Sequence, residues 1–114
     1  MRYAKSGCNS GDALTTTTKK ILGDGITSGR VFWLRGLVIT ETGGTTDATV
    51  TIYDQAEASV TATNQKMPGM ICPKGVTTSI DFPAPGYKFI TELTAVVSGG
   101  AVAKYAMAAN GYEQ

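Results

Sequence analysis

RVFWLRGLVITETGGTTDATVTIYD, residues 30–54, sets two β-rich runs on either side of a loop of glycine, threonine and acids. Branched and aromatic residues fit a pleated, half-buried surface, and the glycine-rich loop supplies the reversal. The stretch therefore reads as two antiparallel neighbours from the middle of a sheet. In the first run, strict alternation puts Phe32, Leu34, Gly36 and Val38 on one face and Val31, Trp33, Arg35, Leu37 and Ile39 on the other. With apolar residues on both faces, this strand is predicted to be covered on both sides. In the second run Ala48, Val50 and Ile52 face one way and Thr49, Thr51 and Tyr53 the other, and Asp54 ends the strand.

The flanking sequence repeats the pattern of short strands and turns. Residues 2–8 predict a short edge strand or docking arm, which Gly7 and the following NSGD end early. LTTTTKKIL (residues 14–22) favours strand over helix because its start is β-branched, with the threonine hydroxyls outward on an edge. Asp24-Gly25 marks a tight turn. QAEASVTATNQK (residues 55–66) reads as loop with a short strand around residues 59–63. TTSIDF, the PAPG corner, residues 87–97 and AVAKYAMA (residues 101–108) supply the remaining strands, with Ser98-Gly99-Gly100 as a hairpin turn. The expected fold is a single-domain all-β antiparallel sandwich or jelly roll. Residues 1–13 would form the arm or edge strand, 14–109 the sandwich and 110–114 a tail, exposed or gripped by a neighbour.

The chain of 114 residues can bury roughly two-thirds of its unfolded surface, enough for one core. Only 17% of its residues are charged, which favours association. Ten basic against nine acidic residues leave a net charge of +1, spread from Arg2 to Lys104 with Lys19-Lys20 as the longest run. This pattern offers no basic stripe for nucleic acid. Residues 1–12 lack the apolar core of a signal peptide, no run approaches a membrane span, and synthesis in the cytoplasm is expected. Cys8 and Cys72 read as free thiols, with a bridge between them left open.

The chain has no histidine, which removes the commonest general base and metal ligand and rules out His-dependent triads. Asp47 with Asp54, and Asp81 with Glu92, bracket strands as a glycosidase pair would, but acids beside turns more simply cap them. Asp12 and Asp24 sit in glycine-rich loops without the alternating acids of a calcium loop. No catalytic residue, metal ligand or cofactor site is assigned. Trp33, Tyr53, Tyr87 and Tyr105 would stack on sugars only if exposed, and packing within strands explains them more simply. Arg35 on a central strand wants either a buried partner, Asp54 or Glu92, or a contact between subunits. KMPGMICPKG (residues 66–75) is a loop by its prolines and glycines yet apolar. Such a loop either caps its own sandwich or meets a partner, and methionine suits an adaptable contact.

VFWLRGLVITETGGTTDATVTIYDQAE, then SIDFPAPGYKFITELTAVVSGG and VAKYAMA, together resemble small virion proteins of tailed bacteriophages. The shared features are an RGL strand, a threonine- and valine-rich strand ending in YD, a DF-P-PG corner and the hairpin LTAVVSGG (residues 93–100). They span residues 30–108. The resemblance implies a capsid cement or decoration protein, commonly a homotrimer, which sits on the outer shell, binds the major capsid protein and clamps neighbouring capsomers. It brings no catalytic residues. The expected interface residues are Arg2, Tyr3, Arg35, Met67, Pro68, Met70 and Ile71. The competing expectations are another phage part (tail, neck or head fibre) and a carbohydrate-binding host-recognition module.

Overall fold

The computed structural model describes residues 1–12, 16–57, 62–99 and 103–114. Among these residues nine strands run in chain order: β1 (Tyr3–Asp12), β2 (Thr16–Lys20), β3 (Phe32–Glu41), β4 (Ala48–Asp54), β5 (Met70–Cys72), β6 (Thr77–Asp81), β7 (Tyr87–Phe89), β8 (Leu93–Ser98) and β9 (Lys104–Glu113). The first sheet has the order β1-β9-β3-β6, with β7 continuing along β3, and the second has the order β2-β8-β4-β5. The antiparallel pairs β1–β9, β2–β8, β3–β6 and β4–β5 are nested. This is the pairing of one long hairpin rolled into two sheets, joined across by β3–β9 and β4–β8. The fold is therefore a jelly roll, with β7 added at the corner between β6 and β8.

The two inner faces close on one core. Phe32, Leu34, Leu37, Ile39, Tyr105 and Met107 come from the first sheet and Val50, Ile52, Leu93, Ala95 and Val97 from the second, all buried. In β4 the expected alternation is present, with Ala48, Val50 and Ile52 inward. The alanine-rich β9 is strand, alternating Tyr105, Met107 and Ala109 inward with Lys104, Ala106 and Ala108 outward.

β3 departs from strict alternation. Its register against β9 runs Leu34↔Gly111 and then Gly36↔Asn110, so Arg35 is an inserted residue and the strand carries a β-bulge. The insertion moves Leu37 and Ile39 to the core side with Phe32 and Leu34, and leaves Val38 outward and 38% exposed. The strand is thus covered on one face. The alternation predicted from sequence failed because the one residue that resets the phase leaves no period of its own.

Two glycines carry close approaches. A Cβ at Gly7 would run into the backbone carbonyl of Ile21, which crosses beneath β1. Gly7 is therefore not a stop signal, and β1 continues through Asp12 for ten residues, paired throughout with β9. Gly86, at φ 106° after the cis Ala84-Pro85 bond, lets the PAPG corner pass Leu34 and Arg35, where a Cβ would lie 2.5 Å from the Leu34 carbonyl oxygen. Asn110 to Glu113, expected as tail, belong to β9, and Gln114 exchanges backbone hydrogen bonds with Val31 at 2.9 and 3.0 Å.

Thr16–Lys20 forms the edge strand of the second sheet, while Leu14 and Thr15 lie outside the described residues. So do Ser59 to Thr61 of the strand expected at residues 59–63 and Gly100 of the hairpin turn; Ala62–Asn64 is a single 3-10 turn. No helix among the described residues is long and apolar enough to cross a membrane.

Candidate assembly surface

Glu41, Asp47, Asp54, Glu92 and Glu113 accept hydrogen bonds from backbone N–H groups. Glu41, fully buried at the end of β3, accepts hydrogen bonds from the backbone N–H groups of Gly43 (2.9 Å), Gly44 (2.7 Å), Lys104 (3.0 Å) and Gly75 (3.1 Å). These donors, Lys104 foremost, hold its carboxyl at about 2, well below its ordinary value. Asp54 accepts from the N–H groups of Ile90, Thr91 and Glu92, and Asp47 from Lys74 at 2.9 Å. Burial raises the Glu92 carboxyl, although the Leu93 N–H opposes it. At Glu113 burial also pushes upward, but the Thr27 N–H (2.6 Å), the Thr27 hydroxyl (2.8 Å) and Lys5 together outweigh it, and the net shift is downward.

Outward from Glu113 the first sheet gathers cations and rings. The register aligns Ala4, Tyr112, Trp33 and Lys88 in one row across β1, β9, β3 and β7. Trp33 stacks on Tyr112 with ring centroids 6.4 Å apart and planes 19° apart. The Arg2 guanidinium lies 4.6 Å from the Tyr112 ring centre, and the Lys88 ammonium 5.9 Å from that of Trp33. On the opposite face of the same end, Arg30 stacks on Tyr3 at 3.8 Å and pairs with Glu113 at 3.7 Å, while Lys5 pairs with Glu113 at 3.5 Å. Each exposed cation–π contact contributes about 0.5–1 kcal/mol, so the ladder mainly fixes where the charges stand.

Arg35 completes this end of the sheet. It bonds neither Asp54 nor Glu92: its Nε donates to the Phe82 carbonyl at 2.9 Å, and its own carbonyl accepts from the Phe82 N–H at 2.9 Å. The bulge and the PAPG corner thus lock to each other, with Phe82 edge-on to Tyr87. Arg2 and Lys88, far apart in sequence, stand on the outer face at one end of the first sheet over Tyr112 and Trp33, while Lys5 and Arg30 hold Glu113 in the core-side row of the same end. The strand register assembles the outer row, and no linear run could have announced it.

The rest of the outer face is different in kind. Cys8, Asn9, Ser10, Val38, Thr40, Ala106, Met107 and Ala108 line a shallow trough of about 640 Å³. Small side chains in the rows Cys8↔Ala108↔Val38 and Ser10↔Ala106↔Thr40 leave the sheet nearly bare.

The apolar loop lies on the opposite margin. Met67 and Met70 pack against the core, Pro68 is exposed, Ile71 is 67% exposed, and Cys72 is buried in β5 at the edge of the second sheet. The seven expected interface residues therefore fall into two regions: Arg2, Tyr3 and Arg35 on the first sheet, and Met67, Pro68, Met70 and Ile71 along the edge of the second. Cys8 and Cys72 are free thiols on different sheets, Cys8 exposed. Of the aromatics considered for sugar stacking, Tyr105 is buried and its hydroxyl donates to Asn9, Tyr53 is half-buried, Trp33 stacks on Tyr112, and Tyr87 is exposed.

No family profile matches the chain, and no curated protein matches it in sequence. Among solved structures it resembles a subunit from Bacillus endospore appendages, described as a family of disulfide-linked pili, with a TM-score of 0.58 and 16% identity over 98% of this chain and 86% of that one. It also overlaps the Tobacco streak virus coat protein (TM-score 0.46, 14% identity, 92% and 85% covered) and the cyanophage Pam1 capsid (0.39, 12%, 97% and 84%). At these identities the likeness is one of fold.

Proposed function

We propose that this chain is a non-enzymatic virion structural protein of the capsid decoration type, which lays the cationic, aromatic end of its first sheet against an acidic region of the major capsid protein. The observation that carries the reading is the row Arg2–Tyr112–Trp33–Lys88: fixed charges on a rigid sheet, at the end of a jelly roll, a fold that recurs in viral capsids. The sequence resemblance over residues 30–108 supports the same reading. Rigid charge placement favours docking because little side-chain freedom is left to lose. The margin of Met67, Pro68, Met70 and Ile71 would join copies into a homotrimer on the capsid surface.

A decoration protein stabilises a shell by binding the assembled state and not the separated subunits, and many weak contacts add through avidity. The test is to strip the protein from particles, add it back, and measure shell melting. Wild type should restore heat resistance, and a Lys88→Glu variant should bind weakly with a reduced salt dependence. Equal shell stability with and without the protein would overturn the reading.

One observation favours a second reading, a filament subunit. The pilus subunit shares the fold at a TM-score of 0.58, and Cys8 stands exposed on an edge strand, placed for a covalent link between copies. Filaments in negative stain, dissolved by reductant, would select it over the shell reading.

A further inference from the structure

We propose that the open edge of β1 is covered by a second copy of this chain, the two β1 strands pairing antiparallel about a two-fold axis at Gly7 with Arg2 of each opposite Asp12 of the other. β1 is terminal in its sheet and, among the described residues, pairs as a strand with β9 alone, in ten unbroken pairs from Tyr3↔Glu113 to Asp12↔Lys104. A long, flat edge invites another strand, and proteins blunt such edges with proline, bulges or lysine. β1 has no proline and no bulge, and its lysine, Lys5, is turned to Glu113. Its outward side chains Ala4, Ser6, Cys8 and Ser10 are small and exposed, so they leave the outer side of the edge uncrowded.

The charge order of the strand names the occupant. Arg2 precedes its first residue and Asp12 is its last, both at even positions and so on the outer face. An antiparallel neighbour of the same sequence reverses that order and brings each charge to its opposite. Pairing must keep inner and outer faces matched, so registers differ in steps of two residues. One step either way sets Asp12 against Ala4, or Arg2 against Ser10, and loses both ion pairs. Because the contact is isologous it closes at two copies. Both outer faces then look the same way, so the pair could lie on one surface, while β5 on the far margin stays free for a separate contact. The inference deepens the assembly reading, but it rests on the strand alone and is tested without particles.

In the paired register the two Cys8 thiols are diagonal neighbours on one face, about 7–8 Å apart by sheet geometry. Cys72 is buried, so a short bismaleimide added to the full-length protein reports on Cys8 alone. Wild type should give a cross-linked dimer, absent in Cys8→Ser, and light scattering should show a concentration-dependent dimer. Asp12→Arg should lower the cross-linked yield roughly threefold or more, since two attractive cross-strand pairs become repulsive. The swap Arg2→Asp with Asp12→Arg should restore it. A monomer without cross-link at every concentration, an unchanged yield in Asp12→Arg, or no rescue by the swap would overturn the proposal.

Discussion

Glu41 shows how much one side chain can organise. Its carboxylate gathers the N–H groups of Gly43, Gly44, Gly75 and Lys104, tying the β3–β4 loop to the loop after β5 and to the start of β9. Its folded-state value of about 2 lies below the ordinary 4.5, so its contribution to stability is fully present above about 4.5 and is lost as pH falls toward 2. Glu41→Gln, which turns an amide donor toward donors, should lower the melting temperature at neutral pH, and the gap to wild type should shrink as the pH falls through that window. A gap independent of pH would refute the assignment. Gly7→Ala should cost about 1–3 kcal/mol in urea unfolding, because a methyl there meets the Ile21 backbone rather than a movable side chain. The sequence hinted at neither role. ETGG marked a loop and Gly7 a break, since a residue's partners from distant strands are not written beside it.

At the scale of the element, β3 holds the main lesson. The choice of strands, the reversal after Glu41, the alternation of β4 and the strand character of the alanine-rich β9 were all legible from β-branching, period and turn residues. The phase of β3 was not, because the bulge at Arg35 answers to the PAPG corner some fifty positions further on through its two hydrogen bonds to Phe82. Adjacent residues test the corrected phase. Leu37→Ala should cost about 2–5 kcal/mol of unfolding free energy as a cavity in the core. Val38→Ala, on the outer face, should stay within about 0.5 kcal/mol. Similar losses at the two sites would mean the strand is covered on both faces after all. The same phase shift decides which charges reach the surface, because Trp33 and Lys88 share a row with Tyr112 only before the bulge.

For the whole molecule, rolling one nested hairpin into two sheets separates three surfaces: a cationic, aromatic end with a bare trough on the first sheet, the open β1 edge, and the methionine-rich margin at β5. Composition had already pointed to an associating protein with few charges, and the sequence resemblance to a virion part. The row of Arg2, Tyr112, Trp33 and Lys88 stayed hidden, since its members align only once the strands are in register. If the attachment account is right, Lys88→Glu should leave the melting temperature of the free protein nearly unchanged, because the residue is exposed, while weakening its hold on shells. The most direct measurement is a cryo-EM map of native particles at a resolution that orients the jelly roll. The account predicts density for this chain on the outer shell with Arg2, Trp33 and Lys88 facing the capsid protein. Absence of the chain from the particle, or attachment through the second sheet with that row turned to solvent, would contradict it.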